Sequence, residues 1–267
     1  MSGKAVSGNV KRILVLDGYE VNPGDVNWTP IELLGEFTAI PHYGWDAVEA
    51  HAAGAHVVLT DSVVFDADQF DRFPALEFLG LFATGYDRID LDTARRRGIA
   101  VANVPGYSHQ SVSQLAISLI LSLAHQVPAY DRLVHGGGWQ RDTPFTYLPA
   151  PLVELAGKKI AVIGFGSIGT EVARVAGALG MHVLGWDERQ KEIPGLTVTW
   201  RPWDELLHES DVVTLHLPLN AETRHIIGTA ALSMMKPGSF LINTSRGGLI
   251  DDAAVAAALH RGELGGA

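Results

Sequence analysis

The chain has 267 residues, of which 47% are apolar and 19% charged, a composition typical of one or two globular domains. It contains no cysteine, which excludes a disulfide framework, a thiolate metal site and a cysteine nucleophile. Its 30 acidic and 20 basic residues give a net charge of −10, which opposes binding to nucleic acid or an anionic membrane. We therefore expect a soluble, cytoplasmic protein with no nucleic-acid or membrane partner and no metal site.

The first part of the chain alternates short β-branched runs with helical stretches. Strands are predicted at Ile13–Leu16, His56–Thr60, Phe78–Phe82 and Ile99–Ala102, with helices at Ala47–Ala53 and Asp92–Arg97. Apolar runs of four or five residues between helices are typical of strands buried on both faces, and hence of a parallel sheet. Residues 1–102 are therefore predicted to form one α/β domain.

A long helix and a loop-rich connector come next. Ser111–His125 is apolar around most of its circumference, so we expect this helix to be buried between larger bodies. Its apolar run Leu115–Ala124 is shorter than the roughly 20 residues that cross a bilayer. The connector carries Trp139, Phe145 and Tyr147, which would be exposed unless the connector packs against something.

The alternation of strand and helix restarts at Lys158. Strands are predicted at Lys159–Ile163, His182–Trp186, Asp211–His216 and Ser239–Asn243, with a weaker one near Leu196–Thr199 and a helix at Asp252–Leu259. Residues 103–267, with the linking helix at 111–125, are thus a second domain. The predicted fold class is α/β, with two doubly wound parallel-sheet domains.

A glycine-rich motif separates the first strand and the first helix of the second domain. Gly164, Gly166 and Gly169 form G-x-G-x-x-G directly after the strand. The first glycine permits a tight turn, the second lets the backbone approach a pyrophosphate, and the third lets the helix pack on the strand. The helix N-terminus then presents N–H groups and a partial positive charge to the phosphates. This pattern predicts a dinucleotide site.

An acidic residue follows the next strand. Asp187 lies 18 residues after Gly169, where a carboxylate accepts hydrogen bonds from the adenosine ribose. It would repel a 2′-phosphate, so NAD is favoured over NADP, although Arg189 weakens that preference. Enzymes that use S-adenosylmethionine carry similar loops, so the pattern alone does not establish redox chemistry.

The strand that ends at Asn243 leads into a polar turn containing Arg246. In an open parallel sheet, ligands lie beyond the carboxyl ends of the strands. A guanidinium group binds a planar carboxylate through two parallel hydrogen bonds, which lysine cannot do. Arg246 is therefore a candidate to anchor a 2-oxo acid, and a surface arginine in a salt bridge is the alternative interpretation.

Five segments in order resemble the D-isomer-specific 2-hydroxyacid dehydrogenases: Ala83–Asp90, Asn103–Val112, Lys159–Gly169, Leu215–His225 and Asn243–Gly247. Trp28–Thr38 and Phe82–Tyr86 are most similar to the glycerate dehydrogenase (hydroxypyruvate reductase) branch. The resemblance implies a flavodoxin-like substrate domain, an NAD-binding Rossmann domain and a homodimer. It also implies NAD-dependent reduction of hydroxypyruvate or glyoxylate, or oxidation of D-glycerate.

The resemblance also implies roles for individual residues. Arg246 would be catalytic and bind the carboxylate and carbonyl of the substrate, with further substrate contacts from Thr84, Gly85 and Ser108. The implied cofactor contacts are Val112, Gly164, Gly166, Ser167, Ile168, Gly169, Asp187, Leu217, Pro218, Thr223, Thr244 and Ser245. Leu217 and Pro218 would lie on the adenosine side, and Val112, Thr223, Thr244 and Ser245 along the nicotinamide half.

The general acid of the family is a histidine held by a glutamate, both located after the arginine turn. None of the 11 histidines stands at that position, and His216 and His225 are interpreted as structural or surface residues. The sequence stops at Gly262–Ala267, where the family continues, so we expect this chain to be slow or inert, as a fragment or as a protein without its acid. The alternative is a catalytically silent NAD-binding protein that senses redox state or binds a partner. A methyltransferase is disfavoured by Asn103–Val112 and Arg246.

Overall fold

A computed structural model describes residues 10–140 and 151–267 of the chain, so the predicted connector residues Phe145 and Tyr147 lie outside the described residues. The chain divides into two compact units, the first ending at Tyr107 and the second starting at Ser108. Each unit contains its own parallel sheet.

The first unit is a five-stranded parallel sheet with the strand order β2-β1-β3-β4-β5, the flavodoxin-like arrangement. Its strands are β1 (Arg12–Val15), β2 (Glu36–Ala39), β3 (Val57–Thr60), β4 (Phe78–Leu81) and β5 (Ala100–Ala102). Its helices are α1 (Gly18–Val21), α2 (Thr29–Glu32), α3 (Trp45–Ala52), α4 (Ala67–Asp71) and α5 (Leu91–Arg96). The edge strand β2 escapes sequence prediction because its residues are only partly buried and form no apolar run.

The second unit is a six-stranded parallel sheet with the order β11-β10-β9-β6-β7-β8, which is the Rossmann order read from the β8 edge. Its strands are β6 (Lys159–Ile163), β7 (His182–Trp186), β8 (Thr199–Trp200), β9 (Val212–Leu215), β10 (Ser239–Asn243) and β11 (Leu264–Gly266). Its helices are α6 (His109–His125), α7 (Val127–His135), α8 (Ser167–Ala178), α9 (Trp203–Glu209), α10 (Thr229–Met234) and α11 (Asp252–His260).

Both faces of the second sheet are covered, as strand β6 shows. Ile160 and Val162 pack into a cluster with α6 and α8, whereas Ala161 and Ile163 pack into a second cluster with α9, α10 and α11. All four side chains are fully buried, because successive residues of a strand point to opposite faces. The predicted doubly wound α/β class is confirmed.

The long helix, expected to be buried between larger bodies, is buried on one face within this chain. Helix α6 buries a face that includes Ala116 and Ile120 against α8 and the sheet, but Leu115 and Leu119 are 52% and 39% exposed. Trp139, predicted to be covered, is 62% exposed. An apolar composition indicates a buried helix but does not show which of its faces this chain covers.

Among the described residues, no single helix has both the length and the apolar character to cross a membrane. Helices α6 and α7 meet that test only as a pair, with a bend of 64° between them.

Candidate functional site

A cleft of about 280 Å³ lies at the carboxyl edge of the second sheet. It is lined by the loop after β6, by Trp186, Asp187 and Glu188 at the end of β7, and by the loop after β9. Strands β7 and β9 flank β6, and the direction in which the chain adds strands reverses between β6 and β9. Such a switch point is where open α/β sheets bind ligands.

The three glycines of the motif are required for different reasons. Gly164 has a φ of 95°, and a Cβ there would lie 2.6 Å from the His216 carbonyl oxygen. A Cβ at Gly169 would lie 2.0 Å from the Gly164 carbonyl oxygen, so this glycine lets α8 approach the strand. Gly166 has an ordinary φ of −68°, and a Cβ there would meet no protein atom within 4 Å. The packing of the described chain therefore does not require a glycine at position 166. A ligand lying directly against this backbone would require one, because a side chain would occupy the same space.

Helix α8 begins at this glycine with open donors. Gly166 is the N-cap residue and no side chain caps the helix, which leaves the N–H groups of Ser167 and Ile168 directed out of the first turn. In residues 10–140 and 151–267, no group accepts a hydrogen bond from the Gly166 N–H. These donors and the helix dipole form a site for a phosphate group.

The turn after β7 is built around Asp187. Its carboxylate accepts hydrogen bonds from the N–H of Phe165, at 2.6 Å, and of Arg189, at 3.0 Å. A carboxylate has about four acceptor positions, so two remain for a ribose. Glu188, beside Asp187, and Glu222, in the loop after β9, also line the cleft and add two further carboxylates to it. Sequence reasoning missed both glutamates, because no spacing rule connects them to Asp187.

The loop after β9 forms the opposite wall, with Leu217, Pro218 and Thr223. The Thr223 hydroxyl donates to the Pro218 carbonyl at 2.7 Å, and Asn220 accepts from the Thr223 N–H at 2.8 Å. Asn220 thus holds the loop in a turn, a role that the Asn-x-x-Thr spacing could have indicated.

His216, the first residue of this loop, is not fully satisfied. Its Nε2 lies 2.9 Å from the Thr214 hydroxyl, but its Nδ1 is buried without a partner among the described residues. Burial lowers the pKa of His216 to about 4, so the ring is neutral at physiological pH. His216 is thus a buried, neutral residue of the loop, and no described residue binds its Nδ1.

The arginine turn lies at the same edge of the sheet, two strands from the glycine motif. Asn243 pairs with Leu215 of β9, and the Ser245 hydroxyl donates to the Leu215 carbonyl at 2.8 Å. The Asn243 side chain donates to the Arg246 carbonyl at 2.8 Å, and the half-buried Arg246 guanidinium donates to the Ser245 carbonyl at 3.1 Å. The buried Thr244 hydroxyl has no partner in the described part of the chain.

The remaining predicted contacts lie elsewhere. In the first unit, the Asn103 amide donates to the Thr84 carbonyl at 2.7 Å, and the Thr84 hydroxyl donates to the Val104 carbonyl at 2.9 Å. In the second unit, Ser108 precedes α6 without capping it through its side chain, and Val112 is half-buried in the first turns of that helix. Gly85 follows Thr84, so its N–H points away from the Asn103 amide.

The Rossmann strand order, the glycine turn at a helix N-terminus and the carboxylate after the second strand define a dinucleotide-binding α/β protein. Residues 117–267 match the family described as "D-isomer specific 2-hydroxyacid dehydrogenase, NAD binding domain". The chain belongs to this family of NAD(P)-dependent oxidoreductases of D-2-hydroxy acids, which confirms the predicted family and enzyme class.

Three similar proteins illustrate the likeness. Over 260 residues the chain is 37% identical to a hydroxypyruvate reductase of Blautia hydrogenotrophica, covering 96% of this chain and 81% of that protein. It is 33% identical over 249 residues to a glycerate dehydrogenase of Methylorubrum extorquens, covering 93% and 73%. The fold matches a D-lactate dehydrogenase of Aquifex aeolicus complexed with NAD and lactic acid, with a TM-score of 0.83, 28% identity and coverage of 95% and 74%.

Proposed function

We propose that the protein reduces hydroxypyruvate or glyoxylate with NADH, and oxidises D-glycerate in the reverse direction. Binding of the cofactor is supported most strongly by Gly166, which lies at the open N-terminus of α8. The packing of the described chain does not require a glycine at this position. The similarity of Trp28–Thr38 and Phe82–Tyr86 to the glycerate dehydrogenase branch supports the substrate, as does the similarity to a hydroxypyruvate reductase.

In this proposal the unit that starts at Ser108 binds the nucleotide and the unit that ends at Tyr107 contributes to substrate recognition. When bound, NADH would supply the hydride to C2 of the 2-oxo acid, and the carbonyl oxygen would take a proton from a general acid, which the resemblance implies to be a histidine located after the arginine turn. Arg246 is proposed to bind the carboxylate and carbonyl of the substrate. The resemblance also implies substrate contacts for the backbone N–H groups of Thr84 and Gly85. Asn103 holds the Thr84 carbonyl, which orients the Gly85 N–H.

Replacing Arg246 with lysine tests the substrate role. We expect KM for hydroxypyruvate to rise and kcat to fall, lowering kcat/KM by about 10- to 100-fold, because a bidentate charge-assisted pair is lost. The dissociation constant for NADH should stay unchanged. Steady-state NADH oxidation measures KM and kcat, and a fluorescence titration measures the NADH dissociation constant, with Arg261→Lys as a matched control at an exposed ion pair.

Unchanged kinetics of Arg246→Lys would remove this residue from the site. If the unsubstituted protein binds NADH but turns over neither hydroxypyruvate nor glyoxylate, the catalytically silent NAD-binding alternative is favoured instead.

We further propose that NAD is preferred over NADP, because Asp187, Glu188 and Glu222 place three carboxylates around the cleft. Asp187→Ser should lower the ratio of the NADPH to the NADH dissociation constant by about tenfold, since one carboxylate no longer repels the 2′-phosphate. Fluorescence titration with each cofactor measures the ratio. Glu192→Ser, the same loss of charge outside the cleft, is the control, and an unchanged ratio in Asp187→Ser would displace Asp187 from the ribose.

Two broader properties are also proposals. The resemblance and the exposed apolar side chains of Leu115, Leu119 and Trp139 support a homodimer. The absence of cysteine supports a cytoplasmic location.

A further inference from the structure

Both polar backbone groups of Phe165 are bound by the turn after β7. The Asp187 carboxylate accepts the Phe165 N–H at 2.6 Å, and the Lys191 ammonium donates to the Phe165 carbonyl at 2.7 Å. The Thr170 hydroxyl lies 3.3 Å from the same carbonyl. The Phe165 ring is 1% exposed and packs 4.8 Å from Trp200, so the residue is anchored by its side chain as well.

The Phe165 carbonyl belongs to the same peptide plane as the Gly166 N–H. In a trans peptide the C=O and N–H point in opposite directions, so a donor that fixes the carbonyl also fixes the direction of the N–H. Within the described ranges the Gly166 N–H has no acceptor, and Gly166 lines the cleft. This N–H is therefore a donor left free at the phosphate site.

Lys191 does not itself line that cleft. It lines a separate hollow of about 440 Å³ formed by residues between Gln190 and Trp200, while its ammonium reaches back to the loop. Its interaction with Phe165 is charge-assisted, and such hydrogen bonds are shorter and stronger than neutral ones. Lys191 would thus act on a bound dinucleotide indirectly, by fixing the orientation of the peptide between Phe165 and Gly166.

We propose that Lys191 is a positioning residue of the dinucleotide site, which aims the Gly166 N–H at the pyrophosphate by holding the Phe165 carbonyl. Asp187 and Lys191 then act as a pair from one turn: the carboxylate binds the ribose and the Phe165 N–H, and the ammonium orients the next peptide toward the phosphates. The inference rests on the proposed binding of NADH in this cleft.

Lys191→Met tests the inference, because methionine keeps an unbranched side chain of similar length but has no donor. We expect the dissociation constants for ADP and NADH to rise about tenfold, and that for adenosine, which has no phosphate, to stay unchanged. Lys191→Arg, which retains a cationic donor, should restore most of the affinity. Titration calorimetry on the whole protein gives all three constants, and a thermal melt without ligand verifies that each variant folds.

Two controls separate orientation from simple attraction between charges. Lys158→Met makes the same change at the amino end of β6 and should leave ADP binding unchanged. At about 1 M salt, where the screening length is about 3 Å, the effect of Lys191→Met should persist.

The inference is overturned if Lys191→Met binds ADP as the unsubstituted protein does, if adenosine affinity falls as far as ADP affinity, if arginine restores nothing, or if the effect vanishes at high salt. If the unsubstituted protein binds neither ADP nor NADH, the proposed function fails together with the inference. Normal binding by both proteins overturns the inference alone.

Discussion

Gly166→Ser is expected to weaken NADH binding by about 10- to 100-fold while leaving the unliganded fold intact. The side chain would occupy the space above the α8 N-terminus, where we place the pyrophosphate, and overfilling a packed site costs about 1–3 kcal/mol. The same serine suits the protein itself, because φ at this N-cap is −68° and serine is favoured over glycine at an N-cap by a few tenths of a kcal/mol.

The affinity for NADH is therefore expected to fall in this variant, while the stability of the unliganded protein does not. Quenching of tryptophan fluorescence on NADH addition reports binding, since Trp186 lines the cleft, and a thermal melt without cofactor reports stability. Normal NADH affinity in Gly166→Ser would show that no ligand occupies the space at this glycine. A large loss of stability would show that the glycine serves the fold after all.

Gly169→Ala is expected to lower both the stability of the protein and its affinity for NADH. Its Cβ would lie 2.0 Å from the Gly164 carbonyl oxygen and 3.3 Å from the His216 Cβ, so α8 and the glycine loop must move apart. We expect the free energy of unfolding to fall by about 1–3 kcal/mol, because the contact atom is backbone and cannot swing away. NADH affinity should fall by at least about tenfold as the loop shifts.

A glycine farther along the same helix provides the matched control. A Cβ at Gly177 would meet only Leu196, at an ordinary 3.6 Å. Gly177→Ala should leave NADH binding unchanged and stabilise the protein by up to about 1 kcal/mol, the difference in helix propensity. If Gly169→Ala melts at or above the unsubstituted protein, the close packing of α8 on β6 is contradicted.

Sequence alone could predict the second sheet and its phosphate loop because both follow from local patterns. Ile160 to Ile163 form an unbroken apolar run, which a strand buried on both faces requires, and the glycine spacing encodes a turn that begins a helix. The edge strands β2 and β11 were missed for the opposite reason. One is only partly buried and the other contains Gly265 and Gly266, so neither has an apolar pattern to detect.

The parts of the site that sequence could not reveal depend on contacts between distant segments. Lys191 reaches the Phe165 carbonyl 26 positions earlier in the chain, and the Ser245 hydroxyl binds the Leu215 carbonyl 30 positions earlier. Sequence patterns of period 2 or 3.6 say nothing about such pairs. The exposure of Leu115 is a similar case, since it depends on what α6 packs against rather than on composition.

The most direct measurement is a crystal structure of the protein with NADH. We predict a pyrophosphate oxygen within hydrogen-bond distance of the Gly166 and Ile168 N–H groups, and the adenosine ribose on the Asp187 carboxylate. A dinucleotide bound in the hollow between Gln190 and Trp200, or one whose phosphates lie away from Gly166, would contradict the account.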